Sequence, residues 1–405
     1  MEHSCYIYYN EFAEIIYTFA NMKKLIVLLF LCCTIYVHAQ KSWIATWATA
    51  PQFTTESNMP KTKLNDCSVR QTVHISTGGD IMRLKISNEY GNGPLKIKSI
   101  YIADAADSCN INDKNARYLL FKKKHDVTID AGKATTSDAI KFHLKPLQRL
   151  AITINYEESP SEITSHPGSR TTSYIIKGIA TPKTSFSAGE KIDHWFNISA
   201  IDVMAEKTRC IAILGNSITD GRGSTTNMQN RWTDAMAEAM PGVAVLNLGI
   251  GGNCVLHGGL ADPAVKRFDR DILFQNGVTD LIIFEGINDI GGSNGNSEAI
   301  ASELIAAYKN FSSQAHAKGL KVYIATITPF RKHYYYTPFH EAAREVVNEW
   351  IRKQKDFDGV IDFDSLVRDN AIPTQMNESL QQDWLHLNAD GYKLMGKFAA
   401  EKVRY

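Results

Sequence analysis

The sequence has no excess of charge of either sign. Its 405 residues include 44 Lys and Arg against 43 Asp and Glu, so the formal net charge is +1. Proteins that bind nucleic acid or an anionic membrane through a broad electrostatic field carry a clear basic excess. We therefore expect no nucleic acid and no stable membrane partner, and a small or neutral partner fits better.

The common motifs for metal and phosphate binding are also missing. There is no HExxH, no paired CxxC, no run of His and Asp at ligand spacing and no P-loop. The chain has no internal repeat and no low-complexity tract, and residues 40–405 contain no long apolar segment that would form a lid over a lipid site. We therefore expect neither a metal nor a cofactor.

The amino-terminal stretch is typical of a secretory signal peptide rather than of a folded domain. The segment "MKKLIVLLFLCCTIYVHAQ" starts at Met22 with two lysines, continues as a short apolar run and reaches a small-residue site at Ala39. The run is too short to span a bilayer. Residues 1–39 are thus interpreted as an upstream extension plus signal peptide, and the protein is expected to be exported, to the periplasm or beyond. A retained membrane anchor is the alternative.

Export would place four further cysteines in an oxidising compartment, where pairing is possible but not required. Cys210 is expected to open one strand and Cys254 to follow the end of its parallel neighbour, about 15 Å away at about 3.3 Å per residue. A disulfide needs Cα atoms within about 7 Å, so this pair is rejected. A bridge between Cys67 and Cys109 stays open.

Residues 40–205 have the pattern of short strands separated by turns. The segment "DIMRLKISNEYGNGPLKIKSIYIAD" alternates apolar and polar residues on both sides of "NEYGNGP", which is a hairpin-like signal. Similar alternation recurs in "QRLAITINYEES" and "TSYIIKGIA". We predict an antiparallel, jelly-roll-like β-sandwich domain over these residues.

Residues 206–405 follow a different pattern, in which strands that are apolar throughout alternate with helices. The strands are predicted in "CIAILGNS", "VAVLNLGIGG", "DLIIFEGIND", "KVYIATITP" and "FDGVIDFDSLV". Between and after them, segments such as "RWTDAMAEAM" and "ADGYKLMGKFAAEKV" carry apolar residues three and four positions apart. Fully apolar strands are buried on both faces, so this half is predicted to be a parallel sheet covered by helices.

Three of these strands end in residues that carry reactive or hydrogen-bonding groups. The first ends at Ser217, the second runs into the glycines of "NLGIGGN", and the third delivers Asn288. In a parallel sheet such ends meet at one edge. A serine nucleophile needs a base, and the oxyanion it creates needs fixed donors. The backbone amides of Ser217 and Gly252 and the side-chain amide of Asn288 would supply three.

The base is expected near the carboxyl terminus, in "DWLHLNADG". Asp383 and His386 are three residues apart, so the carboxylate can orient one ring nitrogen while the other faces Ser217. Asn388 can then cap the last helix. The sequence thus predicts Ser217, Asp383 and His386 as a catalytic triad.

Together these segments resemble the four blocks of the SGNH hydrolases, also called the GDSL esterase superfamily: "GNSITDG", "NLGIGGN", "GIND" and "DWLH" occur in the family's order. The resemblance covers about residues 208–405 and implies a flavodoxin-like three-layer α/β/α fold and metal-free ester hydrolysis through an acyl-enzyme. The upstream half resembles the β-rich domain that precedes the hydrolase domain in many secreted bacterial members. Asn216 departs from the family, which usually has aspartate there, and is expected to hold the turn equally well.

Other residues are candidates for substrate binding. His257 follows the glycine block, Tyr334 and Tyr335 follow the fourth strand at the same end of the sheet, and Trp384 lies beside the triad. For each of them, simple packing is an alternative role. Asp220, in the turn after the nucleophile, is expected to be structural.

The substrate is less well defined than the reaction. Without an apolar lid, and with a β-sandwich next to the hydrolase half, we expect an acylated carbohydrate, from which O-acetyl groups would be removed. The alternative enzymes are a lysophospholipase or a short-chain acyl esterase. A different alternative is a glycan-binding protein that uses the hydrolase scaffold without turnover.

Overall fold

The structure, a computed structural model, describes residues 17–19, 22, 41–206 and 208–404. The chain divides into two compact units, Met1–Lys41 and Ser42–Tyr405. In the first unit residues 17–19 and 22 are helical, and the predicted signal segment at 23–39 lies outside the described residues. Among the residues that are described, no helix is both long enough and apolar enough to span a bilayer.

In the second unit, residues 42–205, here called the β-rich region, form strands and two short 3₁₀ helices, Glu56–Asn58 and Asp113–Asn115. The strands are β1 Ser42–Ala48, β2 Gln52–Phe53, β3 Cys67–His74, β4 Gly79–Asn88, β5 Leu95–Asp104, β6 Arg117–Tyr118, β7 Val127–Ile129, β8 Lys133–Thr136, β9 Ile140–Leu144, β10 Arg149–Glu158, β11 Thr164–His166, β12 Ser173–Lys177, β13 Glu190–Ile192, β14 Trp195–Phe196 and β15 Ile198–Ala205.

These strands build a sandwich of two antiparallel sheets. One sheet has the order β1-β15-β4-β8, with β9 also on β4; the other has the order β13-β12-β3-β10-β5-β6, with β7 also on β5. Alternate residues of both sheets, such as Leu84 and Ile152, meet in a common buried core. A small third sheet, β14-β11-β2, lies at the margin. The predicted antiparallel β-sandwich is confirmed, because each sheet buries one apolar face against the other.

The hairpin predicted around "NEYGNGP" is wrong. Strands β4 and β5 flank this segment, but they belong to opposite sheets and do not pair. Both strands direct apolar side chains, such as Ile86 and Leu95, into the shared core. The connecting loop is held by Asn88, whose Nδ2 donates to the carbonyls of Gly93 and Ile129, both at 2.9 Å. The alternation of apolar and polar residues identifies the buried face of each strand, but it does not identify the sheet that the strand joins.

Residues 210–402, here called the α/β region, alternate strands and helices. The strands are β16 Cys210–Gly215, β17 Ala244–Gly249, β18 Asp280–Phe284, β19 Lys321–Ala325 and β20 Gly359–Ile361. The helices are α1 Ser217–Asp220, α2 Trp232–Ala239, α3 Ala264–Phe268, α4 Ile287–Gly291, α5 Ser297–Ala317, α6 Pro338–Lys353, α7 Phe363–Val367 and α8 Ala389–Lys402, with a π-helical turn at Asp269–Leu273 and a 3₁₀ helix at Glu378–Leu380.

The five strands pair in parallel in the order β17-β16-β18-β19-β20. This 2-1-3-4-5 order is the flavodoxin-like arrangement. Alternate residues of β16 face opposite cores: Ala212 and Leu214 pack toward α5 and α6, whereas Ile211 and Ile213 pack toward α2 and α8. The predicted three-layer α/β/α fold is thereby confirmed, and the strands are apolar throughout because both faces are covered.

The β-rich and α/β regions pack together within the second unit. Ile44 and Ala48 of β1 belong to the buried core that lies on one face of the parallel sheet. The Oγ of Ser76 accepts a hydrogen bond of 3.0 Å from the backbone N–H of Val245, in β17. The domain boundary placed between residues 205 and 206 stays a prediction. Residues Cys67, Cys109, Cys210 and Cys254 are free thiols in the structure.

Candidate active site

Ser217 lies at the first position of helix α1, directly after strand β16. Asn216 caps this helix, because its Oδ1 accepts a hydrogen bond of 3.0 Å from the N–H of Ile218. The helix ends after one turn at Gly221, whose φ of 100° is in the left-handed region that favours glycine. The asparagine therefore performs the turn-holding role expected for it.

His386 and Asp383 lie beside this serine in a linear arrangement. The Oγ of Ser217 is 2.8 Å from Nε2 of His386, and Nδ1 of His386 is 2.8 Å from Oδ2 of Asp383. Ser217 and His386 are each 5% exposed, so water competes little for this contact. Nδ1 donates to the carboxylate, which leaves Nε2 free to accept the serine proton.

Asp383 is held in its charged form by its surroundings. Burial raises the pKa of this carboxyl, but the hydrogen bonds from the ring and backbone of His386 outweigh burial and hold the pKa well below its usual range. Its Oδ1 also accepts from the backbone N–H groups of His386 at 2.8 Å and Leu385 at 3.2 Å. A permanent negative charge at this position stabilises a positive charge on the imidazole.

The three predicted oxyanion donors lie at the same end of the sheet. Within the described residues, neither the N–H of Ser217 nor that of Gly252 donates a hydrogen bond to protein. Asn288 Nδ2 donates to the carbonyl of Asn253 at 2.8 Å, which uses one of its two hydrogens, and its Oδ1 accepts from the hydroxyl of Tyr335 at 3.2 Å. The amide is therefore oriented, with one N–H left for a ligand.

A buried arginine forms hydrogen bonds with the chain segments that carry these donors. Arg267 is 1% exposed and donates to the carbonyl of Gly215 at 3.1 Å, to the carbonyl of Leu248 at 2.8 Å and to Oδ1 of Asn253 at 2.9 Å. Asn253 in turn accepts from Asn288. One guanidinium thus connects the segments that position Ser217, Gly252 and Asn288, a role that no local sequence signal indicated.

These groups face one cleft of about 820 Å³. Both regions line the cleft. The α/β region contributes the triad, Gly252 and Asn288, and the β-rich region contributes Gln52, Phe53, Thr55, Ser57, Asn58, Pro167, Gly168 and Arg170. Tyr334 and Tyr335 also line it, and Tyr334 is 82% exposed. The wall that the β-rich region supplies was not predicted.

Two candidate substrate-binding residues lie elsewhere. His257 lines a neighbouring pocket together with Gly252, Asn288 and Tyr335, and is not part of the lining around Ser217. Trp384 is absent from the described lining of the cleft as well, and its ring lies 3.8 Å from the ammonium of Lys332. The two tyrosines thus line the cleft that contains Ser217, and His257 lines the pocket that adjoins it at Gly252 and Asn288.

Asp220 connects helix α1, which begins at Ser217, to the β-rich region. Its carboxylate is 2% exposed, and Oδ1 lies 2.9 Å from Nε2 of His166, whose Nδ1 donates to the carbonyl of Ala50 at 2.9 Å. A Cβ on Gly168 would come within 1.8 Å of Oδ2, so a larger residue there would displace this carboxylate. This agrees with the expected structural role of Asp220. No local sequence pattern marks His166, because it is 54 positions from Asp220 in the chain.

A serine hydroxyl in contact with an oriented imidazole, beside uncharged donors at one edge of a flavodoxin-like sheet, is the arrangement that serine-dependent acyl hydrolases use. In the part of the chain that the structure describes, no group of three or more His, Cys, Asp or Glu is arranged to hold a metal ion. The sequence model of the GDSL-like lipase/acylhydrolase family matches residues 213–394. The chain therefore contains a domain of the GDSL-like, or SGNH, hydrolase family.

Solved structures similar to this chain include members of the same family. A GDSL-like lipase from Bacteroides thetaiotaomicron is 18% identical, with 48% of this chain and 87% of that chain covered and a TM-score of 0.37. A carbohydrate acetylesterase from Sinorhizobium meliloti is 16% identical, with 48% and 97% covered and a TM-score of 0.38. A family two carbohydrate esterase from Clostridium thermocellum, solved with cellohexaose, is 14% identical, with 89% and 97% covered and a TM-score of 0.38. No curated protein matches the chain.

Proposed function

We propose that this protein hydrolyses carboxylic esters through an acyl-enzyme. Ser217 Oγ attacks the ester carbonyl while His386 Nε2 takes its proton, and Asp383 stabilises the resulting imidazolium. The oxyanion is held by the N–H groups of Ser217 and Gly252 and by the amide of Asn288. The alcohol leaves with the proton from His386, and water, activated by the same ring, releases the acid and restores the serine.

The observation that carries this proposal is the unbroken contact from Ser217 through His386 to Asp383 at the floor of an open cleft. Each contact is 2.8 Å at its shortest. A turn serine or a helix-entry histidine without catalytic function would have no need of this alignment. The arrangement supports a hydrolase over a glycan-binding protein without turnover, because a binding protein does not need a serine, an imidazole and a carboxylate in hydrogen-bond contact.

For the substrate, we propose an O-acetylated polysaccharide or oligosaccharide that the protein deacetylates after export. Polar side chains such as Gln52, Thr55 and Asn58 line the open cleft together with the rings of Tyr334 and Tyr335. Hydroxyl and amide groups suit sugar hydroxyls, and aromatic rings suit the faces of sugar rings. A short-chain acyl esterase or lysophospholipase is the second candidate, favoured by the exposed apolar side chain of Leu260 in the same cleft.

Release of acid from a substrate panel tests this proposal. Acetylated plant and host glycans are incubated with the enzyme beside lysophosphatidylcholine, and acetate and fatty acid are quantified. We expect acetate from at least one glycan, and none with Ser217→Ala. Fatty acid from the lipid with no acetate from any glycan would favour the second candidate. Ser217-independent binding of glycans with no release of acid from any substrate would favour a binding protein.

A further inference from the structure

Two arginines flank the catalytic triad from opposite regions of the molecule. Arg170 comes from the β-rich region and Arg222 from the turn after helix α1, and both line the cleft that contains Ser217. Within the described residues, neither guanidinium donates a hydrogen bond to another protein group. Arg222 approaches Asp383 most closely, at 3.9 Å between Nε and Oδ2, which is beyond hydrogen-bond distance.

The backbones that carry these side chains are firmly anchored. The N–H of Arg222 donates to the carbonyl of Ser217 at 2.9 Å, and its carbonyl accepts from the hydroxyl of the buried Tyr392. The carbonyl of Arg170 accepts from the N–H of Asn227 at 2.9 Å. The main chain from which each arginine side chain extends is therefore fixed relative to Ser217, so both guanidinium groups stay within reach of the cleft.

The space between the two arginines forms a polar side pocket. It has a volume of about 540 Å³ and is lined by Arg170, Arg222, Gly223, Ser224, Thr226, Gln382 and Asp383. It shares both arginines and Asp383 with the catalytic cleft, so the two spaces adjoin. A group bound in the side pocket can thus belong to a molecule whose ester reaches Ser217.

The charge balance of this pocket favours an anion. Its one carboxylate, Asp383, accepts hydrogen bonds from His386 at both oxygens and is committed to the triad. The two guanidinium groups are therefore not neutralised by a hydrogen-bonded protein partner. The Nε of Arg170 has no hydrogen-bond acceptor within the described protein.

We propose that Arg170 and Arg222 bind an anionic group, a carboxylate or a sulfate, on the same sugar chain that carries the ester. This inference rests on the proposed function, because it specifies the substrate of that site as an acidic, acylated glycan. Paired guanidinium groups suit such a ligand, since each can donate two parallel hydrogen bonds to a carboxylate or a sulfate. One arginine from each region would also explain why the β-rich wall reaches the cleft.

A matched set of small substrates tests the inference. An O-acetylated methyl glucuronoside is compared with its uncharged glucuronamide counterpart at low salt, and a 6-sulfated glucoside distinguishes sulfate from carboxylate. We expect kcat/KM to be at least tenfold higher for one of the anionic substrates than for the amide. In Arg170→Gln and Arg222→Gln this ratio should fall at least fivefold, and Arg117→Gln, an exposed arginine on strand β6, should keep the wild-type ratio.

Because the ratio is taken within each variant, a general loss of activity does not affect it. A wild-type ratio within twofold of one, or a ratio that both arginine variants retain, would overturn the inference. If none of the three sugars is hydrolysed, 4-acetoxybenzoate and 4-acetoxybenzamide give the same comparison without a sugar. Serine-dependent hydrolysis of p-nitrophenyl acetate without any charge preference would refute only this inference, whereas its absence would refute the proposed function itself.

Discussion

The β-rich and α/β regions differ in what their strand ends can do. In the parallel sheet, Gly215 pairs in register with both Gly249 and Phe284, so three chain segments leave the sheet side by side. Ser217, Gly252 and Asn288 follow within a few residues of those ends. In the antiparallel sheets neighbouring strands end at opposite edges, so no such convergence arises. The comparison teaches that the parallel sheet brings together the groups proposed to react, while the sandwich supplies one wall of the cleft.

Replacing Ser217, the proposed nucleophile, is the strongest test of the difference between the two regions. Ser217→Ala should lower kcat/KM for p-nitrophenyl acetate by about four orders of magnitude or more, since the members of a triad act as one unit. Thermal unfolding should be nearly unchanged, because the substitution removes one hydroxyl. His386→Ala is the matched control and should give a loss of similar size. A variant as fast as the wild type would show that the serine does not perform the chemistry.

A smaller loss of activity is expected when Asn288, which follows strand β18, is replaced. Asn288→Ala should lower kcat about a hundredfold or more, because one oxyanion donor is lost. Tyr335→Phe serves as a control, since it removes only the hydroxyl that donates to Asn288 Oδ1; we expect less than about a tenfold effect from the loss of one such hydrogen bond. If the alanine variant keeps the wild-type kcat, the side chain does not hold the oxyanion.

The contact between the two regions can be tested through its pH dependence. Burial alone would raise the pKa of Asp234, but the charge of Arg231 and the hydrogen bond from His74 of β3 lower it to about 2. A carboxyl with a lowered pKa stabilises the folded state above its ordinary pKa, and the contribution is lost as the pH falls toward the folded value. Asp234→Asn should therefore cost about 2 kcal/mol near pH 7 and progressively less from pH 4 to pH 2.

Urea unfolding at several pH values measures this difference. Glu238→Gln, which alters an exposed carboxylate on the same helix, is the control and should change the free energy of unfolding little at any pH. The interpretation would be wrong if Asp234→Asn lowered the free energy of unfolding by the same amount at every pH.

The smallest effect on activity is expected at Asn216, where the family usually has aspartate. Asn216→Asp should leave kcat/KM for p-nitrophenyl acetate within about tenfold of the wild type, because either side chain offers an oxygen to the N–H of Ile218. The added charge lies next to the nucleophile, so a modest change is expected. A total loss of activity in the same ester assay would contradict this account of the turn.

The sequence predicted the parts of the structure that depend on local pattern. The strands around Ser217 and Asn288 were recognised because both faces are apolar, and the pair of Asp383 and His386 because three residues separate them. Asn388 also caps helix α8 as expected, accepting from the N–H of Gly391 at 3.0 Å. Strand pairing in the sandwich was mispredicted around "NEYGNGP", since alternation marks the buried face of a strand and not its partner.

The missed features depend on contacts between distant segments. His166 reaches Asp220, Arg170 lines the cleft of Ser217, and Arg267 connects two strand ends. Neither hydropathy nor spacing marks these residues, because their partners come from elsewhere in the chain. Only the packing of the β-rich region against the parallel sheet brings them to the site.

Covalent labelling of the nucleophile tests the central claim most directly. Diisopropyl fluorophosphate reacts with an activated serine: a bond forms between Oγ and phosphorus, and fluoride leaves. Intact-mass measurement followed by peptide mapping should show one diisopropylphosphoryl group per chain, attached to Ser217, and far slower labelling of His386→Ala. A protein that stays unlabelled, or that is labelled at a different serine, would contradict the assignment of Ser217 as the nucleophile.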